Sequence, residues 1–340
     1  MKKLPRSYAE AGIDLNIEKN ILKVINSYVK QTFSFANVLA KEGHYANLIK
    51  FGDYGLALAT DGVGSKVLVA QLARKFTSIG IDCVAMNVND LLAMGIKPAA
   101  FVDYLAVKEL KPEFIEEIMQ GLVKGCELAH IPLLGGELAT LPEIITGYEN
   151  SFDLAGTALG IVSLNKIIDG QSIKPGDIIL GIRSSGLHSN GYTLARKVLM
   201  SEYELDSTLP WGKKLQDELL EPTRIYVDVI HELLEEHEVH GLAHITGGGF
   251  KKLQRLTDFG FKLDNFPKIP QIFTELQKIG KITNQEMFST FNMGIGFVVV
   301  VPPEEQIKAL ETLNQYFESF KIGEIIKEHG IQIPEYGVRY

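Results

Sequence analysis

The stretch from Leu56 to Lys66, LALATDGVGSK, is an apolar run that ends at an acidic residue beside glycine. Two later runs end in the same way, Cys83–Met86 before Asn87–Asp90 and Ile131–Leu134 before Gly135–Glu137. Apolar runs of this length predict buried strands. Because ligand-binding groups in α/β proteins collect where strands end, we expect the acidic residues of these three stretches to lie close together.

These three acidic residues are Asp61, Asp90 and Glu137. Converging carboxylates repel one another unless cations lie between them, and their hard oxygen atoms suit Mg²⁺. Mg²⁺ held by few protein carboxylates usually carries the phosphates of a substrate as well, so the sequence predicts a site for Mg²⁺ and a nucleotide. The alternative is structural: a glycine-rich hairpin turn at Asp61, a helix cap at Asn89 or Asp90, and a solvated turn at Glu137.

Length and composition indicate a globular protein of two domains. The chain has 340 residues, of which 46% are apolar and 22% are charged. We place the domain boundary near residue 165, which gives domains 1–165 and 166–340. Both halves mix strand and helix patterns, so the predicted class is α/β or α+β. The two cysteines, Cys83 and Cys126, have no CxxC spacing and predict buried thiols in a reducing compartment, the cytoplasm.

Charge and hydropathy exclude several classes of function. The formal net charge of −8 argues against binding to nucleic acid or to an anionic membrane, both of which require a basic surface. No apolar run reaches the length of a membrane span, and the basic N-terminus is not followed by the apolar core of a secretion signal. An acidic protein that binds a nucleotide must supply positive charge locally, from metal ions, a lysine or backbone N–H groups.

The segment Asp61–Lys66 is neither a Walker A loop nor a Rossmann fingerprint, because it lacks the spacing of the first and the third glycine of the second. Its two glycines expose backbone amides, its lysine offers a point charge, and its aspartate can hold a metal ion. A hairpin turn with surface charges fits the same residues.

Two glycine-containing segments of the second half are also candidates. Ser184–Gly191, SSGLHSNG, joins a predicted strand to a predicted helix, where free backbone N–H groups favour phosphate. His188 of this segment could donate to that phosphate or act as an acid, although an ordinary capping loop fits it equally. His244 precedes Thr246–Gly249, whose three glycines are costly unless the backbone bends tightly or lies against a ligand. A flexible tip is the alternative.

Hydrophobic periodicity predicts the main elements. Helices are expected over residues 7–30, after Pro112, over 192–200 and after Pro222. Strands are expected over residues 154–162, 178–182, 242–245 and 297–301, and loops over 31–55 and 140–150.

Taken together, these motifs resemble the aminoimidazole ribonucleotide synthetase family over essentially the whole chain. Each motif is weak alone, but eight in one order are highly specific. The matching segments are Tyr8–Asp14, Thr60–Lys66, Gly80–Leu91, Phe152–Gly156, Ser184–Gly191, Glu221–Tyr226, His244–Phe250 and Phe291–Gly296.

The resemblance implies a two-domain PurM-like fold and a homodimer whose N-terminal domains pair their sheets into an intersubunit β-barrel. The implied reaction is the ATP-dependent cyclisation of formylglycinamidine ribonucleotide, with ATP and Mg²⁺ bound near the interface. The implied Mg²⁺ ligands are Asp61, Asp90 and Glu137. The implied ATP-binding residues are Asp61, Gly62, Gly64, Ser65, Lys66 and Asn89.

The resemblance also implies contacts with the substrate. The implied catalytic residues are His188, His244 and Lys66, of which the histidines face the substrate or the transferring phosphoryl group. The implied substrate-binding residues are Ser184, Ser185, Gly186, Ser189, Asn190, Thr246, Gly247 and Gly248. Residues 138–145 depart from the family pattern, and no role is assigned to them. The alternatives are another ATP-using enzyme of the same superfamily and a catalytically silent nucleotide-binding dimer.

Overall fold

The computed structural model describes residues 4–39 and 45–340, which form two sheets with helices packed against them. The first half comprises α1 (Leu15–Val29), β1 (Val38–Leu39), β2 (Asn47–Phe51), β3 (Tyr54–Gly62), α2 (Val67–Ala73), α3 (Thr77–Leu92), β4 (Lys97–Val107), α4 (Pro112–Leu128), β5 (Leu133–Thr140) and β6 (Phe152–Ser163). The second half comprises β7 (Ile178–Arg183), α5 (Tyr192–Leu199), α6 (Leu215–Leu219), α7 (Val227–Glu236), β8 (Gly241–His244), β9 (Gly260–Lys262), α8 (Gln271–Gly280), α9 (Asn284–Thr290), β10 (Ile295–Val301), α10 (Gln306–Tyr316), β11 (Ser319–Ile326), β12 (Ile331–Ile333) and β13 (Val338–Arg339).

The first sheet has six strands in the order β1-β2-β3-β6-β4-β5. Its pairs are antiparallel except β4 and β5, which are parallel. Helix α3 packs on one face, and α4 packs against α3. Close packing of the two helices requires Gly80 and Gly121, because a Cβ at Gly80 would lie 2.3 Å from the Leu122 nitrogen and one at Gly121 would lie 1.9 Å from the Thr77 oxygen.

The second sheet has seven strands in the order β13-β12-β9-β11-β7-β10-β8. Strands β10 and β8 are completely buried, and β10 lies between β7 and β8. This pairing sets His244, the last residue of β8, opposite Phe297 of β10. Within the two described ranges of the chain, no helix is long and apolar enough to cross a membrane.

The prediction of a strand over Cys83–Met86 is wrong, because these residues lie in α3. They are all buried, since α3 lies between the first sheet and α4. A helix that is apolar all round gives a continuous apolar run, and periodicity does not distinguish it from a buried strand. Asn87–Asp90, expected to begin a helix, therefore lie in the last turns of one.

Two other boundaries also differ from the prediction. Strand β5 begins at Leu133 and continues through Gly135–Glu137, which were expected to follow the strand. The segment 31–55, expected to be a loop, contains β1 and β2 and leads into β3. Residues 40–44 of that segment lie outside the described residues.

Most other elements are confirmed within a few residues, as is the mixed α/β class. The confirmed helices are α4, α5 and α7, and the confirmed strands are β3, β6, β7, β8 and β10. A helix is also present where one was expected over residues 7–30, but α1 begins only at Leu15. Helix α1 differs from the others in its packing. Its described apolar residues are about half exposed, from 42% at Val29 to 67% at Tyr28, so this helix presents an apolar surface that the other described residues do not cover.

Candidate active site

The C-terminal turns of α3 bring an acid of the first half to a histidine of the second. The His244 ring lies 2.9 Å from Asp90, measured from Nδ1 to Oδ1. A carboxylate only accepts hydrogen bonds, so Nδ1 carries the proton and Nε2 has a lone pair. Nε2 is buried and has no partner among the described residues. Burial lowers the pKa of His244, and the Asp90 carboxylate opposes that shift. The neutral imidazole therefore donates a hydrogen bond to Asp90 and fixes the orientation of its carboxylate.

Asp61, near the end of β3, is the second acid of this site. Burial, reinforced by the charge of Asp90, raises the pKa of Asp61 to about 6. The Gly62 N–H donates to Asp61 Oδ1 at 2.8 Å and stabilises the charged form. Two carboxylates that repel each other in a shielded place fit a divalent cation that neutralises both. No cluster of three metal-binding side chains occurs among residues 4–39 and 45–340.

Glu137 is not brought to Asp61 and Asp90 within one chain. Asp61 is paired with Gly156, Gly156 with Asp103, and Asp103 with Gly136. Paired residues point to the same face of a sheet and the next residue points to the other, so Glu137 lies three strands away on the opposite face. Its proposed role as a Mg²⁺ ligand stays a prediction.

Lys66 occupies a different environment from the one its sequence suggested. Its side chain is completely buried, with Nζ 2.7 Å from Asp82 Oδ2 and 2.6 Å from the Glu221 carbonyl oxygen. Burial lowers the pKa of Lys66, and the Asp82 carboxylate opposes that shift. Lys66 therefore joins α3 to the second half, and this ion pair argues against the predicted contact with phosphates.

Two other residues expected at the nucleotide also join the two halves. The Asn89 side chain donates to the Arg224 carbonyl oxygen at 2.7 Å and accepts from the Tyr226 N–H at 3.1 Å. The Ser65 hydroxyl lies 2.9 Å from that of Thr193. Their polar atoms are thus engaged by the protein, which leaves the backbone around Gly64 as the open part of the segment. Space beside Gly64 is free, since a Cβ there would meet no atom within 4 Å.

The serines of Ser184–Gly191 point into the protein. Ser184 donates to the Gly186 carbonyl oxygen at 2.9 Å, Ser185 donates to the Pro222 carbonyl oxygen at 2.6 Å, and Ser189 lies 2.9 Å from Thr223. The Asn190 side chain donates to the Met86 sulfur at 4.0 Å. Its Oδ1 would be 2.9 Å from a Cβ at Gly247, so this segment meets the glycine turn Gly247–Gly249.

His188 is buried next to the start of β10. It has a φ of 62°, and its Nε2 accepts from the Ser185 N–H at 3.2 Å, which leaves the proton on Nδ1. Nδ1 is buried without a partner among the described residues. Burial, together with the neighbouring His244, holds the pKa of His188 well below its usual value. A buried donor without an acceptor is costly, so a polar ligand or water is expected at Nδ1.

Sequence reasoning missed Asp82 and Lys252. Asp82 stands directly before an apolar run, and a buried acid needs a partner, which is the signal that could have revealed it. Lys252 lies in the 3₁₀ turn Gly249–Arg255 and bonds to the Thr246 hydroxyl. Burial lowers the pKa of Lys252, while Asp90 and Asp61 oppose the shift. Among the described residues, Lys252 rather than Lys66 therefore has a charge that acts on Asp61 and Asp90.

Comparison with known proteins gives whole-chain matches. Family models described as AIR synthase related protein match residues 43–162 (N-terminal domain) and 174–334 (C-terminal domain). A phosphoribosylformylglycinamidine cyclo-ligase of Thermococcus kodakarensis is 52% identical over 98% of this chain and 99% of its own length. Another, of Pyrococcus furiosus, is 50% identical with the same coverage. A solved structure of AaThiL complexed with AMPPCP and TMP shares the fold, with a TM-score of 0.61, 15% identity, and coverage of 93% of this chain and 96% of that one.

Replacement of Lys66 by methionine is expected to lower stability rather than to remove a phosphate contact. The variant leaves the Asp82 carboxylate buried without its partner, which costs about 3–5 kcal/mol in the free energy of unfolding. Urea denaturation measures this loss. Lys75→Met is the matched control, because Lys75 pairs with Asp217 at the same 2.7 Å on the surface. That control should lose at most about 1 kcal/mol. A stable Lys66→Met protein with weakened ATP binding would support the predicted contact between Lys66 and the phosphates of ATP.

Replacement of Gly296 by alanine is expected to displace His188. A Cβ there would lie 2.1 Å from Tyr226 Oη and 2.5 Å from His188 Cε1, so the ring must move. Overpacking of this kind typically costs about 1–3 kcal/mol. Denaturation and the NMR signal of the His188 ring would report the two effects. Gly186→Ala is the control for stability, since its Cβ would meet nothing closer than 4.0 Å. An unchanged ring signal would show that the strand absorbs the methyl group.

Proposed function

This chain belongs to the AIR synthase family, and from that membership we propose that it uses ATP to cyclise formylglycinamidine ribonucleotide to 5-aminoimidazole ribonucleotide in purine biosynthesis. The observation that carries the proposal is the identity of about half of all residues with cyclo-ligases over nearly the full length of both chains. Asp61, Asp90 and His244, which form the site, all lie in segments that resemble the family.

The reaction requires activation of a poor leaving group. The terminal phosphoryl group of ATP passes to the formamide oxygen of the substrate, and ADP leaves. The amidine nitrogen then forms a bond to the formyl carbon, the bond from that carbon to the phosphorylated oxygen breaks, and phosphate and a proton are released. Phosphoryl transfer demands positioning and neutralisation of charge more than covalent chemistry, so the protein must supply both.

Mg²⁺ is the metal that the acidic pair suits, and Asp61 and Asp90 are the residues that would hold it. When bound, it supplies positive charge at the phosphates of ATP. The buried His244 ring donates to Asp90 and keeps that carboxylate in one orientation. We assign His244 a positioning role, because in this arrangement its contact with the reacting groups passes through Asp90.

ATP is the proposed nucleotide, supported by the family and by AMPPCP, an ATP analogue, in the AaThiL structure. The open backbone at Gly64 suits close approach of phosphates, because glycine lets the main chain lie against a ligand. On the other side of the site, Asn190 and the turn Gly247–Gly249 fit the substrate. His188, with a free proton on Nδ1, is the proposed donor to the group that is transferred.

A homodimer through the first sheet is the proposed assembly. On β3, the small residues Ala57 and Ala59 face the core, while the larger Leu58 is 62% exposed on the other face. Other apolar residues share that face across the neighbouring strands and are 40–70% exposed. They are Ile49, Phe51, Tyr54, Val102, Tyr104 and Ile161. An apolar sheet face of this extent marks an interface, and a second copy of the same sheet would cover it symmetrically.

Purified protein with ATP, Mg²⁺ and formylglycinamidine ribonucleotide is expected to release ADP and form aminoimidazole ribonucleotide. Mass spectrometry identifies the ribonucleotide, and a coupled assay follows ADP. ADP release that does not depend on this substrate would indicate another ATP-using enzyme of the superfamily. Nucleotide binding without any turnover would indicate a catalytically silent dimer.

Asp90→Asn should fold normally and lose turnover by a factor of about a hundred or more, because the amide keeps the shape but not the charge that holds Mg²⁺. The dependence of rate on Mg²⁺ concentration measures the effect. Asp258→Asn is a suitable control, since Asp258 is exposed on the surface of the second half. Near-native turnover of the Asp90 variant at low Mg²⁺ would show that Asp90 does not hold Mg²⁺ and has only a structural role.

Light scattering should give about twice the 37.7 kDa mass of the chain. Leu58→Asp places a charge in the middle of the proposed interface and should yield monomers, since an unpaired buried charge strongly disfavours association. Ile307→Asp is the control, because Ile307 is 68% exposed but lies on α10 of the second half. A fully active wild-type monomer at micromolar concentration would contradict the assembly.

A further inference from the structure

Two cations lie over one aromatic ring beside the acidic pair. Lys252 and Arg255 both come from the 3₁₀ turn Gly249–Arg255. The Lys252 ammonium is 5.5 Å from the centroid of the Tyr45 ring, and the Arg255 guanidinium carbon is 5.6 Å from it. The Tyr45 hydroxyl lies 3.5 Å from the carbonyl oxygen of His244. Two cationic side chains thus lie near one ring at the edge of the site.

Neither cation has a counter-ion in an ion pair within residues 4–39 and 45–340. Lys252 bonds to the neutral Thr246 hydroxyl, and Arg255 is exposed. Arg255 is close enough to Lys252 to oppose its charge, adding to the effect of burial on the pKa of Lys252. Two neighbouring cations repel each other, and an anion between them would remove that repulsion.

Backbone donors lie next to the two cations. The turn Gly247–Gly249 is held open by positive φ angles of 90° at Gly248 and 53° at Gly249. The N–H groups of Gly247 and Gly248 donate to no described residue, whereas that of Gly249 donates to the Thr246 carbonyl oxygen at 2.8 Å. Successive free N–H groups in a turn form a concavity that binds anions.

We propose that Lys252, Arg255 and the Gly247–Gly248 amides form a phosphate-binding subsite, with Tyr45 as its platform. The ligand class is a phosphate ester or anhydride, which both substrates of the proposed reaction contain. The number of donors favours a phosphate over a carboxylate, because a phosphate presents more oxygen atoms to the two cations and the two amides. The position also suits it, since Asp61 and Asp90 would repel a phosphate that had no cations beside it.

The subsite rests on the proposed function only for the identity of its ligands, so binding is measured without turnover. Titration calorimetry with AMPPCP and, separately, with formylglycinamidine ribonucleotide would use wild type, Lys252→Gln, Arg255→Gln and the double variant. Lys251→Met is the matched control. Lys251 neighbours Lys252 in the chain and lies over a different ring, that of Tyr340, at 4.7 Å.

Each single variant should lower the affinity for one of the two ligands by roughly tenfold, because the lost hydrogen bonds are charge-assisted. The double variant should lower that affinity further. If only the affinity for AMPPCP falls, the subsite binds the nucleotide. If only the affinity for the ribonucleotide falls, the subsite binds the phosphate of the substrate. Affinities for both ligands within twofold of wild type in the double variant would overturn the proposal.

Two further measurements distinguish a structural role of Lys252 from a role in ligand binding. Arg255 is exposed, so Arg255→Gln should keep the wild-type melting temperature and still weaken the ligand. Lys252→Arg keeps the charge and should recover most of the affinity lost in Lys252→Gln. Equal losses in Lys252→Arg and Lys252→Gln with Arg255→Gln unchanged would sink the subsite. Failure of the cyclisation assay, by contrast, would leave these binding results intact.

Discussion

One buried helix, α3, joins the two halves of the chain through its polar side chains. Asp82 accepts from the Thr223 N–H, Asn89 bonds to the backbone of the second half, and Asp90 accepts from His244. A buried polar group that loses its partner costs more than the bond contributes, so these contacts permit only one arrangement of the halves. The position of Asp90 relative to the second half follows from that constraint.

The same constraint separates the polar residues of the site into two groups. Lys66, Ser65 and Asn89 hold the framework and are not free for ligands. Neither Asp61 nor the nearby Lys252 forms an ion pair with another described residue. Like charges and free cations are costly in an isolated protein, and both costs fall when a metal ion and phosphates bind. The site is thus organised for ligands of opposite charge.

Small residues govern how closely the elements approach around this site. Gly80 and Gly121 allow α3 to pack tightly on α4, and Gly296 leaves room for His188 beside Tyr226. On the first sheet, alanines face the core while Leu58 faces outward. This inversion of the usual pattern fits the proposed assembly, in which a second copy of the chain covers the outward face.

The sequence by itself determined the mixed α/β class, most strands and helices, and the family, because periodicity and ordered motifs are local properties of the chain. It also identified Asp61, Asp90 and His244 as residues of chemical interest. It misassigned Cys83–Met86, because a helix buried on all sides has no apolar face to reveal its period. Only the tertiary structure decided which polar residues meet. Lys66 stands beside glycines in the sequence but is neutralised by Asp82. The charge of Lys252 acts on Asp61 and Asp90, which precede it in the chain by 191 and 162 positions, and local patterns do not encode a proximity of that kind.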